Sequence, residues 1–152
     1  MIKQIIPHSE TAPRGLHHNG ICPQSFEKSM CFYREGLGLS ILVDEVFEGD
    51  FKALFDIESN KIRSVLLGDP CYPDIGLIEL IQFIGGEGRD EKSMLNKHFW
   101  LSFWVDVDVV IERIKRLDLI RDLRVVEMPG AKVATLLDPD GIRVELIPNS
   151  IR

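Results

Sequence analysis

The feature that most constrains this chain is that it passes through one order of elements twice. GLHHNGIC reads as a short strand stopped by Pro23, and SFEKSMCFYREGLGL as a helix with Ser25 placed to cap it. Phe26, Met30, Tyr33 and Leu37 form its apolar stripe, and Gly36 and Gly38 stop it. LSILVDEVF, KIRSVLLGD and GLIELIQF follow as strands, with GDFKALFD a helical turn or loop and PCYPDI a turn-rich break. The second pass opens on HFWLSFWV, continues through the helix DVVIERIKRLDL, and ends in the strands RVVEMPG, KVATLLD and GIRVELIP. Each half is therefore strand, helix, then three strands. The expected fold is α+β, built from two βαβββ modules at about 15–84 and 98–148 within a single domain, 15–148. The polar, glycine-bearing segment 85–97 connects them, and residues 1–14, with Pro7 and Pro13, read as a tail.

The repeat extends to single residues. IELIQF and VELIPN place Glu79 and Glu145 at matching points inside apolar strands. Strand alternation turns Ile78 and Leu80, or Val144 and Leu146, to one face and the glutamate to the other. A lone glutamate of this kind is ordinarily a solvated residue on a one-sided sheet. Two at matching places point instead to a shared pocket, because a carboxylate near an apolar layer needs a partner. The strand that opens the second half is also divided. Phe99, Leu101, Phe103 and Val105 form a core face, while His98, Trp100, Ser102 and Trp104 share the other.

Composition narrows the classes of function. With 18 Lys+Arg against 24 Asp+Glu the net charge is -6, and no basic run provides a nucleic-acid footprint. No apolar run is long enough to span a membrane, and the N-terminus lacks the pattern of a secretory signal. Cys22, Cys31 and Cys71 form no CxxC pair or even disulfide framework, which fits reduced thiols in a cytoplasmic protein.

Three pieces together resemble the vicinal oxygen chelate superfamily, which includes glyoxalase I, methylmalonyl-CoA epimerase, extradiol dioxygenases and the bleomycin and fosfomycin resistance proteins. LHHNGICPQSFEKSMCFYREGLGL is similar to the family's opening, GLIELIQF to the strand closing its first module, and LLDPDGIRVELI to its final hairpin. The resemblance implies that curved mixed sheets pair around an open cleft, with metal ligands from the first and fourth strands of each module. Matched by position, His18, Glu79 and Glu145 would be ligands. The remaining place, a histidine in relatives, belongs here to Trp100, whose indole N–H is only a donor. His98 lies about 6–7 Å further along the strand, and His17 is expected on the face opposite His18.

Two readings of the site follow from the resemblance. A divalent cation (Mn, Fe, Zn, Ni or Co) on His18, Glu79 and Glu145 would stabilise an enolate; no nucleotide cofactor is implied. A pocket without metal would keep Glu79 and Glu145 as acid and base, with His18 holding or relaying a proton. Both give isomerisation, epimerisation or lyase chemistry on a small, partly apolar carbonyl compound. The extradiol dioxygenase branch fits less well, because Trp100 removes its second histidine. The opposing class is a binding module of the bleomycin-resistance type, with Trp100 and Trp104 as walls and His98 and Ser102 beside them. Related proteins pair modules across subunits, so a homodimer is the expected macromolecular partner.

Overall fold

The computed structural model describes residues 17–49, 59–85, 100–128 and 131–148, with the backbone alone for Trp100 and Met128. The tail, most of the connection 85–97, the GDFKALFD segment after Gly49, and His98 lie outside the described residues. In the first half, β1 (His18–Ile21), α1 (Phe26–Met30), β2 (Ser40–Glu48), β3 (Lys61–Gly68) and β4 (Leu77–Phe83) follow in turn. The second half repeats them as β5 (Trp100–Val105), α2 (Val107–Arg116), β6 (Arg124–Met128), β7 (Ala131–Leu137) and β8 (Arg143–Pro148). The strand orders are β1-β4-β3-β2 and β5-β8-β7-β6, so the two four-stranded sheets share one topology. In each, the first strand lies parallel to the last and the other pairings are antiparallel.

Alternation along these strands decides what is buried. Ile78 and Leu80 on β4, Val65 and Leu67 on β3, and Val144 and Leu146 on β8 point into one continuous core with the helices. Each such side chain contributes about 1.5–3 kcal/mol on burial. Helix α2 meets this layer with Val107, Val110, Ile111 and Ile114, a helical stripe. Asp106 caps it by accepting the Val109 N–H at 3.1 Å, and Arg113, Lys115 and Arg116 occupy its last turn, where cations suit the helix dipole.

The first helix departs from the regular helix predicted over Ser25–Leu39. Ser25 caps it by accepting the Lys28 N–H, but after Met30 it widens into a π-helical turn over Cys31–Gly36. Leu37 N–H reaches back five residues to the Phe32 carbonyl at 2.9 Å. The wider turn advances each residue through a smaller rotation, so the adjacent Phe32 and Tyr33 are both fully buried. Gly36 sits where helices of the two halves touch: a Cβ there would lie 2.8 Å from Ile114 Cγ1. Gly38, at φ +84, ends the segment as predicted.

The two modules are fastened by the Asp138–Gly141 turn of the second. Asp138 is fully buried; its Oδ2 accepts the Tyr33 hydroxyl at 2.7 Å, and its Oδ1 accepts the N–H groups of Asp140 and Ile142 at 2.9 and 2.7 Å. Asp140 extends to the start of α1, accepting the Gln24 N–H at 2.8 Å and the Ser29 hydroxyl at 3.1 Å. Burial pushes the Asp138 carboxyl above the usual carboxylate range, against the hydrogen bonds from Tyr33 and Ile142 that pull it down. Burial, followed by the nearby Asp138 charge, raises Tyr33 well above the ordinary phenol, so its hydroxyl stays a donor. Cys31 and Cys71 are free thiols. Among the described residues, no helix is long and apolar enough to cross a membrane.

Candidate active site

Because Ile78 and Leu80 face the core, Glu79 stands on the sheet face turned away from the helices, here called the outer face. Its Oε1 accepts the Ser64 hydroxyl from β3 at 2.5 Å, and its Oε2 lies 3.1 Å from Nε2 of His18 on β1. The Glu79 side chain is 17% exposed and that of His18 41%, so the pair sits at a surface rather than in the interior. His17 does not face away from His18 as alternation predicts. It precedes β1, so the strand rule does not govern it, and its Nδ1 lies 2.7 Å from His18 Nδ1 with the rings edge to face. One of these nitrogens carries the hydrogen and the other accepts it.

The second module repeats this arrangement with different side chains. Gly20 is the register partner of Glu79, and Ser102 is the register partner of Glu145. Two residues before each partner stand His18 and Trp100, so Trp100 holds in the second module the place His18 holds in the first. Ser102 donates its hydroxyl to Glu145 Oε2 at 2.6 Å. Each carboxylate therefore has a serine, but from opposite sides: Ser64 on the strand after β4 in sheet order, and Ser102 on the strand before β8. Trp104 follows Ser102 on the outer face and is 47% exposed.

Sequence reasoning missed two members of this face. Ser64 directly precedes the apolar run Val65–Leu67 of β3 and alternates with the core-facing Val65, which was the available signal. Arg143 precedes Glu145 by two residues and shares its face by the same alternation that selected the glutamate. Its guanidinium donates to the Asp122 carbonyl at 3.0 Å and to the Asp122 carboxylate, and lies 3.5 Å from the Thr135 hydroxyl. Thr135 is itself the register partner of Glu145 on β7.

A cation would need donors brought to one point. His18 and Glu79 are adjacent, whereas Glu145 belongs to the other sheet, and Trp100, at the place equivalent to His18, is a residue type with no acceptor for a cation. Among the described residues, no three His, Cys, Asp or Glu side chains converge as ligands. The described donors thus do not fit a three-ligand centre.

Comparison with known proteins agrees with this architecture. The lactoylglutathione lyase-like protein terB of Aspergillus terreus is 31% identical over 159 residues, covering 96% of this chain and 81% of the relative. Among solved structures, a glyoxalase family protein from Bacillus cereus aligns with a TM-score of 0.72 at 18% identity, over 93% of this chain and 98% of its own. The trypanothione-dependent glyoxalase I of Leishmania major aligns at 0.64 and 20% identity, over 91% and 89%. TnmS3, an antibiotic binding protein from Streptomyces sp. CB03234, aligns at 0.57 and 19% identity, over 90% and 97%. Residues 15–146 match the family described as Glyoxalase/Bleomycin resistance protein/Dioxygenase superfamily, and the chain belongs to that family.

Proposed function

We propose that this chain is a glyoxalase-like enzyme that moves a proton next to a carbonyl group, with Glu79 and Glu145 as acid and base. The observation that carries the reading is that both glutamates stand on the outer faces of equivalent strands, each carboxylate held by a serine hydroxyl. A hydroxyl donating to one oxygen orients the carboxylate and leaves the other oxygen for a second task. At Glu79 that second oxygen meets His18. At Glu145 the base takes a proton from a carbon beside the carbonyl, and the C–H electron pair passes into the enolate. Return of a proton to the same carbon gives epimerisation and to the neighbouring carbon isomerisation; where the enolate electron pair instead expels a leaving group, which departs with its bonding pair, the outcome is that of a lyase. The similarity to a lactoylglutathione lyase-like protein supports this class of chemistry.

A non-catalytic small-molecule binder is the competing reading, favoured by the exposed indole of Trp104 on the same face. A homodimer belongs to the proposed function: the edge strands β2 and β6 expose Val46, Phe47, Val125 and Val126, and light scattering should give twice the chain mass. Catalysis is tested by incubating the protein with carbonyl compounds in deuterium oxide and following loss of the C–H signal by NMR. Exchange above the buffer rate that disappears in Glu145→Gln is the expected result.

A further inference from the structure

We infer that Arg143 forms an anion-binding subsite beside Glu145, so that the substrate is a carbonyl compound carrying a carboxylate. The inference rests on the proton-transfer reading above and names the substrate class for it. Arg143 and Glu145 alternate with the buried Val144 and Leu146, so the guanidinium and the base stand on one face, two residues or about 7 Å apart along the strand. The first module has no such charge, since the register equivalent of Arg143 is the buried Leu77.

The guanidinium is fixed before any ligand arrives. The Asp122 carbonyl and carboxylate hold it, and the Thr135 hydroxyl, from the residue paired with Glu145, lies against it. Asp122 alone does not cancel its charge. Asp122 is shared between Arg143 and Arg124, whose Nε and terminal nitrogen lie 3.3 and 3.1 Å from the same carboxylate. One carboxylate between two guanidiniums leaves one positive charge over at this end of the face, and Glu145, the other carboxylate, stands about 7 Å along the strand. Hydrogen bonds from Arg143 and then Arg124 hold the Asp122 carboxyl below the usual carboxylate range, so it is ionised at neutral pH. The Arg143 side chain keeps 27% of its surface exposed, which leaves it reachable from solvent. A planar guanidinium on an open face suits a carboxylate, and it would place the carbonyl next to that carboxylate within reach of Glu145.

The test uses two probes that share a phenyl ring and a ketone: phenylpyruvate, which has a carboxylate, and 1-phenylpropan-2-one, which has none. NMR titration of the full chain should show phenylpyruvate binding at least about tenfold tighter, the scale of one charge-assisted hydrogen bond. Arg143→Gln should bring the two affinities within about twofold of each other, mainly by weakening phenylpyruvate, because the fork is gone. Arg124→Gln leaves every Arg143 contact in place and removes the excess charge, so the preference should shrink in that variant as well. Because Arg124 is 69% exposed, its replacement also controls for misfolding of the Arg143 variant. No preference in the wild type, binding of neither probe, or a preference that survives both substitutions would overturn the subsite. Failure of the proton-transfer reading looks different: the preference for phenylpyruvate stands, but deuterium enters its methylene group no faster than in buffer alone.

Discussion

Replacing Tyr33 by phenylalanine tests how the two modules are joined. The ring stays in the core, edge to face with Phe32 and near Phe103, and only the hydroxyl is lost. Asp138 Oδ2, fully buried, then loses the donor it holds at 2.7 Å. A hydrogen bond to a buried charged group is worth about 1.5–3 kcal/mol, which sets the expected loss of unfolding free energy near neutral pH. For a chain of 152 residues that corresponds to a melting temperature lower by roughly 3–12 °C. The loss should also depend on pH. Burial has raised the Asp138 carboxyl, so the folded state binds its proton more tightly than the unfolded state does. Asp138 therefore costs stability above its folded pKa, and the cost is relieved as pH falls through that value. Without the Tyr33 hydroxyl, which opposes the rise, the folded pKa climbs further. The gap between the two proteins should thus be full at neutral pH and narrow in acid. Urea unfolding of both proteins at about pH 7 and about pH 4 measures it, and titration common to both cancels in the difference. A loss under about 0.5 kcal/mol, or one that does not change with pH, refutes the role given to this pair.

Other outcomes follow from the same contacts. Gly36→Val should cost about 1–3 kcal/mol in urea unfolding, since its Cβ would press on Ile114 at the contact between modules. Ser64→Ala and Ser102→Ala should each lower the exchange rate about fivefold to tenfold with little change in KM, because each frees a carboxylate without removing it. His18→Ala should slow exchange on the same scale by breaking the contact with Glu79. Metal analysis of that variant beside the wild type is the check, since a stoichiometric ion lost with His18 would make the residue a ligand instead.

Much of this was legible in the sequence because strand alternation and the repeat are local rules. Glu79 and Glu145 were found from their apolar neighbours, and the register places Trp100 opposite Arg143 just as it places His18 opposite Leu77. The π-helical turn was not legible, because a stripe at Phe26, Met30, Tyr33 and Leu37 assumes a regular helix and leaves Phe32 outside the core. His17 departs from alternation because it lies one residue before the strand begins. The hydrogen bond from Tyr33 to Asp138 joins residues 105 positions apart in the sequence, and no local pattern contains that contact. Ser64 and Arg143 obeyed the same alternation that exposed the glutamates. They were missed because a serine and an arginine in a strand are ordinary surface residues until their neighbours are known.

In the proposed function the two carboxylates do chemistry rather than line a binding face. This is tested most directly by measuring ligand affinity and carbon-bound hydrogen exchange together in the Glu79→Gln, Glu145→Gln double variant. Glutamine keeps the size of each side chain and can still accept the Ser64 and Ser102 hydroxyls, so binding of phenylpyruvate should persist. Its deuterium exchange should fall by about 10²–10⁴ relative to wild type. Exchange that continues at the wild-type rate in a double variant that still binds the probe would contradict the account.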